Sequence, residues 1–220
     1  MYNKHCCSVV ILIYPEWGGG KFLSSCLGLS NNAYLQHRDL IKKQLDGNLS
    51  TIDKFTILNN NLIANTSNGA WNDFRLGWRQ TYYGDDTTVD YSQISEEIKI
   101  ISNGFNFFFF SAANLDAYNQ LINSWPNAKK IFLTDLDKFV NWRLGEAAHK
   151  FKPFSQEHNE FFLNIPNMIV WSADNFLEKN KFVGNLRLLY AKLNLSDFDP
   201  KLISSLHQNY VSTLDKLRNT

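Results

Sequence analysis

The chain has 220 residues, of which 44% are hydrophobic and 20% are charged, and its formal net charge is +1. This composition is typical of a single globular domain with a sizeable core. The small net charge gives no strong field towards nucleic acid or an anionic membrane, so we expect neither as a partner. Three cysteines without the spacing of a disulfide framework or zinc site favour free thiols in the cytoplasm. The N-terminal apolar stretch is too short to span a membrane, and we expect no targeting segment.

The first predicted strand leads into a glycine turn. Residues 9–13 form the continuous apolar run VVILI, which is typical of a buried parallel strand. Three consecutive glycines follow it before an apolar helix: Gly18, Gly19 and Gly20. In such a turn the N–H groups at the helix start face an anion, Lys21 adds a positive charge, and Ser24 or Ser25 adds a hydroxyl group. The sequence therefore predicts a phosphate-binding loop, with a plain glycine turn as the alternative.

This turn differs from that of the P-loop triphosphatases. Pro15 stands where their pattern has its first glycine, and Phe22 stands where it has the hydroxyl residue that holds magnesium. Since phenylalanine has no oxygen, magnesium-dependent hydrolysis loses support, and we expect no metal. Glu146 and His149 have the spacing of half a di-iron site, but no second copy exists, so we interpret them as a salt-bridging helix surface.

The middle of the chain is organised differently. Residues 48–91 show little sustained periodicity, and we predict an irregular excursion from the single domain that serves as a lid or an acceptor-binding segment. Arg75 and Arg79 would share one face of a helix beside Trp78, a group suited to an anionic or sugar-like acceptor. A packed structural flap is the alternative. Residues 92–103 then predict a helix.

Three further apolar runs predict strands, at residues 106–112, 130–134 and 168–172. A helical pattern follows each of them, at residues 114–125, 136–151 and 173–193. Alternating strands and amphipathic helices predict a three-layer α/β fold with a mainly parallel sheet, in which ligands collect at the carboxyl ends of the strands. A loop is predicted before the last of these strands, at residues 150–167.

Residues 14–30, YPEWGGGKFLSSCLGLS, resemble the 5′-phosphosulfate loop of the sulfotransferases, a branch of the P-loop fold. That loop is commonly written Y-P-[KR]-S-G-T-[ST]-[WF]-L. With one inserted residue allowed, residues 19–23 fall on its G-T-[ST]-[WF]-L part, which places Phe22 on the aromatic position. The segment that starts IVWSADNFLEKNKF is similar to the closing strand and helix of the family. The resemblance covers roughly residues 7–212 and implies the sulfotransferase-like topology.

Residues 125–142, WPNAKKIFLTDLDKFVNW, are similar in their first half to the family segment [FY]-P-x-A-K-x-I-[FY]-L-x-R-[ND]-P-x-D-x-x-x-S. The second half departs from it. Thr134 or Asp135 occupies the arginine position, and Trp142 or Arg143 occupies the serine position. In the family this arginine and serine hold the 3′-phosphate of the sulfonate donor. Arg143 is a candidate substitute, because a guanidinium offers a bidentate fork for phosphate.

The resemblance implies a metal-independent transfer of a sulfonate from 3′-phosphoadenosine 5′-phosphosulfate to a hydroxyl acceptor. It implies donor contacts from the glycine turn, Phe22 and Ser24, and a catalytic part for Lys21. Candidate bases are Glu16, inside the turn, and His37, after the first helix; a carboxylate that faces away and a solvated histidine are the alternatives. A degenerate, non-catalytic member that binds a phosphorylated ligand or a partner, and a nucleotide-dependent kinase, are the competing functions.

Overall fold

The computed structural model shows an α/β fold and describes residues 8–15, 18–33, 49–64, 107–112 and 114–218. Within these ranges the strands are β1 (Ser8–Ile13), β2 (Phe107–Ala112), β3 (Lys129–Thr134) and β4 (Met168–Ser172). The α-helices are α1 (Gly20–Gly28), α2 (Thr51–Ala64), α3 (Leu115–Ser124), α4 (Leu136–Leu144), α5 (Gln156–Leu163), α6 (Lys179–Leu193) and α7 (Pro200–Arg218). Two 3₁₀ helices, Gly145–Lys150 and Ala173–Phe176, follow α4 and β4.

The described strands form one parallel sheet in the order β2-β1-β3-β4. β1 pairs with both β2 and β3, so that Val10 lies opposite Phe109 on one side and Lys129 on the other. The chain passes from β1 to β2 on one side of β1, whereas β3 pairs with β1 on its other side. This order makes the gap between β1 and β3 the switch point of the sheet, where ligands bind in open α/β folds.

Helices cover both faces of the sheet. Val10 and Leu12 of β1 pack into a core cluster with α1, α2, α4, α6 and α7, whereas Val9 and Ile11 pack into a second cluster with α3 and α5. Successive side chains of a strand point to opposite faces, so a strand buried on both faces is apolar at every position. The predicted α/β fold with a parallel sheet is therefore confirmed.

The predicted strands are confirmed to within one residue at their ends, but two predicted helices are shorter than expected. The helix predicted at residues 136–151 ends at Leu144, because Gly145 adopts φ 52 and the chain continues as a 3₁₀ helix. The helix predicted at residues 173–193 begins as a 3₁₀ turn, and α6 starts only after the extended residue Glu178.

The prediction of a loop at residues 150–167 is wrong, because this segment contains the helix α5. The side chain of Ser155 caps this helix by accepting a hydrogen bond from the His158 N–H at 3.1 Å. Phe162 is fully buried, with its ring centroid 5.2 Å from that of Phe132 on β3. A helix of only two turns with one buried anchor leaves too short a periodic pattern to stand out in the sequence.

The excursion predicted as irregular at residues 48–91 is helical in its first part, since α2 covers residues 51–64. Ser50 and Asp53 form a capping box at its start. The Asp53 N–H donates to the Ser50 hydroxyl at 3.2 Å, and the Ser50 N–H donates to the Asp53 carboxylate at 3.0 Å. Residues 65–91, and the helix predicted at residues 92–103, lie outside the residues that the structure describes.

The far end of α1 is held by a buried lysine of α2. Lys54 is 1% exposed, and its Nζ donates to the carbonyls of Gly28 at 3.2 Å, Ser30 at 2.6 Å and Ala33 at 2.8 Å. These carbonyls lie at and beyond the C-terminal end of α1, where a positive charge also complements the helix dipole. Burial lowers the pKa of Lys54 from 10.5 to about 8, and the charge of Asp197 opposes that change.

Candidate functional site

The glycine turn lies at the carboxyl end of β1. Tyr14 continues the sheet ladder, because its N–H donates to the Ala112 carbonyl of β2 at 3.1 Å. The Gly18 N–H then donates to the Pro15 carbonyl at 3.1 Å and closes a tight turn. Gly19 is the N-cap residue of α1 and has φ 80, a left-handed conformation that glycine adopts without steric cost.

Close packing also restricts the turn to glycine. A Cβ on Gly20 would lie 2.0 Å from the ring of Tyr14, which is itself buried. A Cβ on Gly19 would lie 2.9 Å from the ring of Phe139 on α4 and 3.0 Å from that of Phe176 after β4. Since real Cβ atoms do not approach other atoms this closely, the backbone of the turn rests directly on three aromatic rings.

The turn also meets the chain segment that follows β3. A Cβ on Gly18 would be 3.2 Å from Leu136, the first residue of α4. The loop after β1 and the loop after β3 are therefore neighbours at the switch point of the sheet. The glycine turn occupies the position in the fold at which the sequence predicted a ligand to bind.

The first turn of α1 carries backbone N–H groups that have no acceptor within the helix itself. The first hydrogen bond within the helix runs from the Leu23 N–H to the Gly19 carbonyl at 3.2 Å. The described part of the chain provides no acceptor for the N–H groups of Gly20 or Phe22. The amide of Gly18 is committed to Pro15, so an anion would be held by the amides after it. No acidic residue lies in the first turn of α1 to compete with such an anion.

Lys21 and Ser24 are half-buried and lie three residues apart on α1, on one side of the helix. Ser25 is buried, and its hydroxyl donates to the Lys21 carbonyl at 2.7 Å, so this hydroxyl serves the helix itself. Contact of Lys21 or Ser24 with a ligand stays a prediction. Their location next to the available amides is the one that this prediction requires.

Phe22 points into the core on the α7 side. It is 2% exposed, its ring stacks on that of Tyr210 with centroids 3.9 Å apart and planes 4° apart, and Phe182 stacks on it at 5.4 Å. A side chain enclosed in this way anchors the first turn of α1 to the protein. The ring of Phe22 is therefore a packing group, and any contact of this residue with a ligand would come from its backbone N–H.

Arg143 lies in the last turn of α4, four residues after Phe139, and these two residues share a face of the helix. The residue is half-buried, and its charge acts on Tyr210. Burial raises the pKa of Tyr210, and the Arg143 guanidinium opposes that rise. The Arg143 charge therefore acts on a ring, that of Tyr210, which stacks on Phe22 in the first turn of α1.

The charges around the turn are of both signs. Asp135 follows β3, is exposed, adopts φ 54 and accepts a hydrogen bond from the Thr134 hydroxyl at 3.0 Å. Lys138 forms an exposed ion pair with Asp174 at 3.5 Å. Asp135 precedes Leu136, the neighbour of Gly18, so an exposed carboxylate follows β3 beside the glycine turn.

Five residues predicted at the site lie outside the described ranges: Glu16, His37, Arg75, Trp78 and Arg79. The candidate bases and the acceptor-binding cluster therefore stay predictions. Across the residues that are described, no group of three or more metal-ligating side chains is found, and no helix is both long and apolar enough to cross a membrane.

Sequence reasoning missed the aromatic rings that support the turn. Phe139, Phe176 and Tyr210 come from three elements that are distant in sequence, and only the fold brings them together. Tyr14 had a local signal, since an aromatic residue directly after a buried strand and before the turn is placed to pack on the turn. Lys54 and His207 gave no signal, because a single buried polar residue does not alter a periodic pattern.

Comparisons of the chain with protein-family models, with curated proteins and with solved structures found no match.

Proposed function

We propose that this protein binds a nucleotide-type ligand by its phosphate groups at the glycine turn. On a P-loop, sulfotransferase-like topology it would transfer a sulfonate from 3′-phosphoadenosine 5′-phosphosulfate to a hydroxyl acceptor. The supporting observation is that α1 begins at the carboxyl end of β1, at the switch point, with the N–H groups of Gly20 and Phe22 lacking acceptors within the described residues. Helix N-termini in this position bind anions through their amides and the helix dipole.

The transfer needs three contributions from the protein. The bond between the sulfonate sulfur and the 5′-phosphate oxygen breaks while a bond from the acceptor oxygen to sulfur forms. The amides of the turn and Lys21 would neutralise charge on the transferring group and on the leaving phosphate. Glu16 or His37 would take the proton of the acceptor hydroxyl, and the acceptor would be held by Arg75, Trp78 and Arg79.

Arg143 is the candidate contact for the 3′-phosphate of the donor. Its position beside Tyr210, whose ring stacks on Phe22, supports this assignment, because it brings a guanidinium close to the first turn of α1. A guanidinium binds a phosphate through two parallel N–H donors, which a lysine does not reproduce. Arg143→Lys is therefore expected to weaken donor binding, although it conserves the charge.

Phe22 supports a transferase over a magnesium-dependent kinase. The ring is enclosed by Tyr210 and Phe182 and has no oxygen to offer a metal ion. A P-loop kinase places its magnesium-binding hydroxyl at this position, directly after the lysine. The packing of Phe22 favours a reaction that needs no metal bridge.

Asp135 favours a second candidate function, in which the protein binds a phosphorylated ligand or a partner without catalysis. Its exposed carboxylate follows β3 next to the turn and would repel the doubly charged 3′-phosphate. Loss of the donor contacts with retention of the helix amides is what a degenerate pocket would show.

Thermal unfolding with added ligands separates these functions. We expect 3′,5′-adenosine bisphosphate, without metal, to stabilise the protein more than sulfate or phosphate. At a ligand concentration of about 100 Kd the gain is about 2.7 kcal/mol, or about 5–10 °C for a chain of this size. Lys21→Ala should reduce the shift. Lys192→Ala, an exposed lysine in the last turn of α6, is the matched control and should leave it unchanged.

The outcomes are distinct. Stabilisation by the bisphosphate, together with release of the bisphosphate from 3′-phosphoadenosine 5′-phosphosulfate in the presence of a phenol or alcohol, supports the transferase. Stabilisation without turnover supports the non-catalytic binder. A response to ATP only with magnesium would favour the kinase. A Lys21→Ala variant that keeps every ligand response contradicts binding at the turn.

A further inference from the structure

His207 is a buried histidine that the proposed reaction does not use. It lies on α7, is 2% exposed, and its ring stacks on that of Phe182 with centroids 4.7 Å apart. Nε2 lies 2.8 Å from the carbonyl oxygen of Phe176. A carbonyl oxygen only accepts, so Nε2 carries the proton and donates it, and Nδ1 of the neutral ring is left as an acceptor.

Nδ1 is buried and has no hydrogen-bond partner within the described chain. In the neutral ring, the lack of a donor to Nδ1 costs a modest amount of folding free energy. A protonated ring would place a second N–H donor and a full charge in the same enclosed position, at a larger cost. Burial lowers the pKa of His207; the hydrogen bond to Phe176 opposes this, and the charge of Lys179 adds to it.

We propose that His207 is an acid-sensitive latch that holds α7 against α6, against the 3₁₀ helix after β4 and against the first turn of α1. The neutral ring joins α7 to the 3₁₀ turn after β4 through Phe176. Tyr210, one helical turn further along α7, stacks on Phe22. Protonation of His207 favours states in which α7 is detached from these contacts, because water can solvate the charged ring only in such states. This inference does not depend on the proposed function.

The titratable and charged groups that act on His207, and those that act on Tyr210 one helical turn away, do not offset protonation of His207. Lys179 of α6 adds positive charge, and Arg143 of α4 adds positive charge beside the neighbouring Tyr210. Cys26 of α1, which also faces Tyr210, is a buried thiol whose pKa burial raises well above its ordinary value. The contact between α7 and α2 joins two neutral amides, Asn209 and Asn59. No carboxylate among the described residues forms an ion pair with His207.

Hydrogen exchange of the whole protein between pH 7.5 and pH 5, corrected for the intrinsic pH dependence of exchange, tests the latch. As the pH falls below 6.5, His207 is protonated first in the state in which α7 is detached and the ring is exposed to solvent. The equilibrium constant for detachment of α7 should therefore increase about tenfold for each unit by which the pH falls, until the buried ring also becomes protonated. We expect the increase in hydrogen exchange at low pH to be large in α7 and smaller in α3, which lies on the other face of the sheet. His207→Gln retains an amide donor for Phe176 but cannot titrate, and should lose this pH dependence.

His158→Gln, on α5 at the other face, is the matched control and should keep the wild-type response. Equal pH dependence of α7 in the wild type and in His207→Gln would overturn the proposal. If His207→Gln does not fold, exchange of the imidazole C2–H in the wild-type protein reports the same titration. A midpoint for His207 below 6.5 supports the latch, and a midpoint at or above 6.5 overturns it.

Discussion

Replacing Lys54 by methionine is expected to change how stability depends on pH. Burial lowers the pKa of Lys54 from 10.5 to about 8 in the folded protein. In the unfolded chain the amine returns to its ordinary pKa, so between these two values the unfolded state binds more protons than the folded state. The stability of the wild-type protein therefore gains a contribution as the pH rises through this window, and Lys54→Met lacks it.

The size of the effect follows from the two pKa values. Integrating the proton difference from pH 7.5 to pH 9.5 gives about 2 kcal/mol, at about 1.4 kcal/mol per pKa unit. Other groups that titrate in this range, such as tyrosines, are present in both proteins and cancel in the difference. The free-energy gap between wild type and Lys54→Met should thus widen by about 2 kcal/mol in favour of the wild type.

Urea unfolding at a series of pH values measures this gap. Lys129→Met is the matched control, because Lys129 is a half-buried lysine whose Nζ also donates to a helix-end carbonyl, that of Leu193, at 3.0 Å. A gap that stays constant from pH 7.5 to pH 9.5 would refute the reasoning. A gap that narrows would show that the three carbonyls around Nζ stabilise the charged amine more than burial destabilises it.

Three substitutions test the packing of the turn by urea unfolding. Gly20→Ala places a Cβ 2.0 Å from the Tyr14 ring and should cost about 1–3 kcal/mol. Gly184→Ala, at an exposed position of α6 with nothing within 4 Å of the new Cβ, should instead stabilise by about 0.5–1 kcal/mol. Phe22→Ala removes a ring stacked on Tyr210 and should cost about 3–5 kcal/mol. Equal effects of the two alanine substitutions at glycine would contradict the close contact with Tyr14.

The first strand of the sheet was predictable because β1 is buried on both faces, from Val9 to Ile13. A run such as VVILI has no polar position, and a parallel strand with a core cluster on each side requires that pattern. Helix ends were less predictable. Gly145 ends α4 with a positive φ of 52, and the sequence pattern does not show whether a glycine within a periodic segment will end the helix.

The candidate site was predictable only as far as its backbone. The strand, the glycines and the helix start are consecutive in sequence, so their geometry is encoded locally. The environment of the turn is not local, since Phe139 and Phe176 reach it from α4 and the 3₁₀ helix after β4, while Tyr210 of α7 stacks on Phe22 in the first turn of α1. Arg143 could be named as a candidate phosphate ligand from its place directly after the segment at residues 125–142. The stacking of Tyr210 on Phe22 could not be predicted, because these two residues are far apart in sequence.

The aromatic rings packed against the turn provide a second reason for its glycines, besides anion binding. Close contact with Tyr14 and Phe139 already requires glycine at positions 20 and 19, whether or not an anion binds. The glycines alone therefore do not separate a phosphate loop from a tightly packed turn. The separating features are the N–H groups of Gly20 and Phe22, which have no acceptor within the described residues, and the ligand response of a Lys21 variant. A ligand response that Lys21→Ala abolishes without loss of stability would thus assign the turn to anion binding, whereas glycine variants report on packing alone.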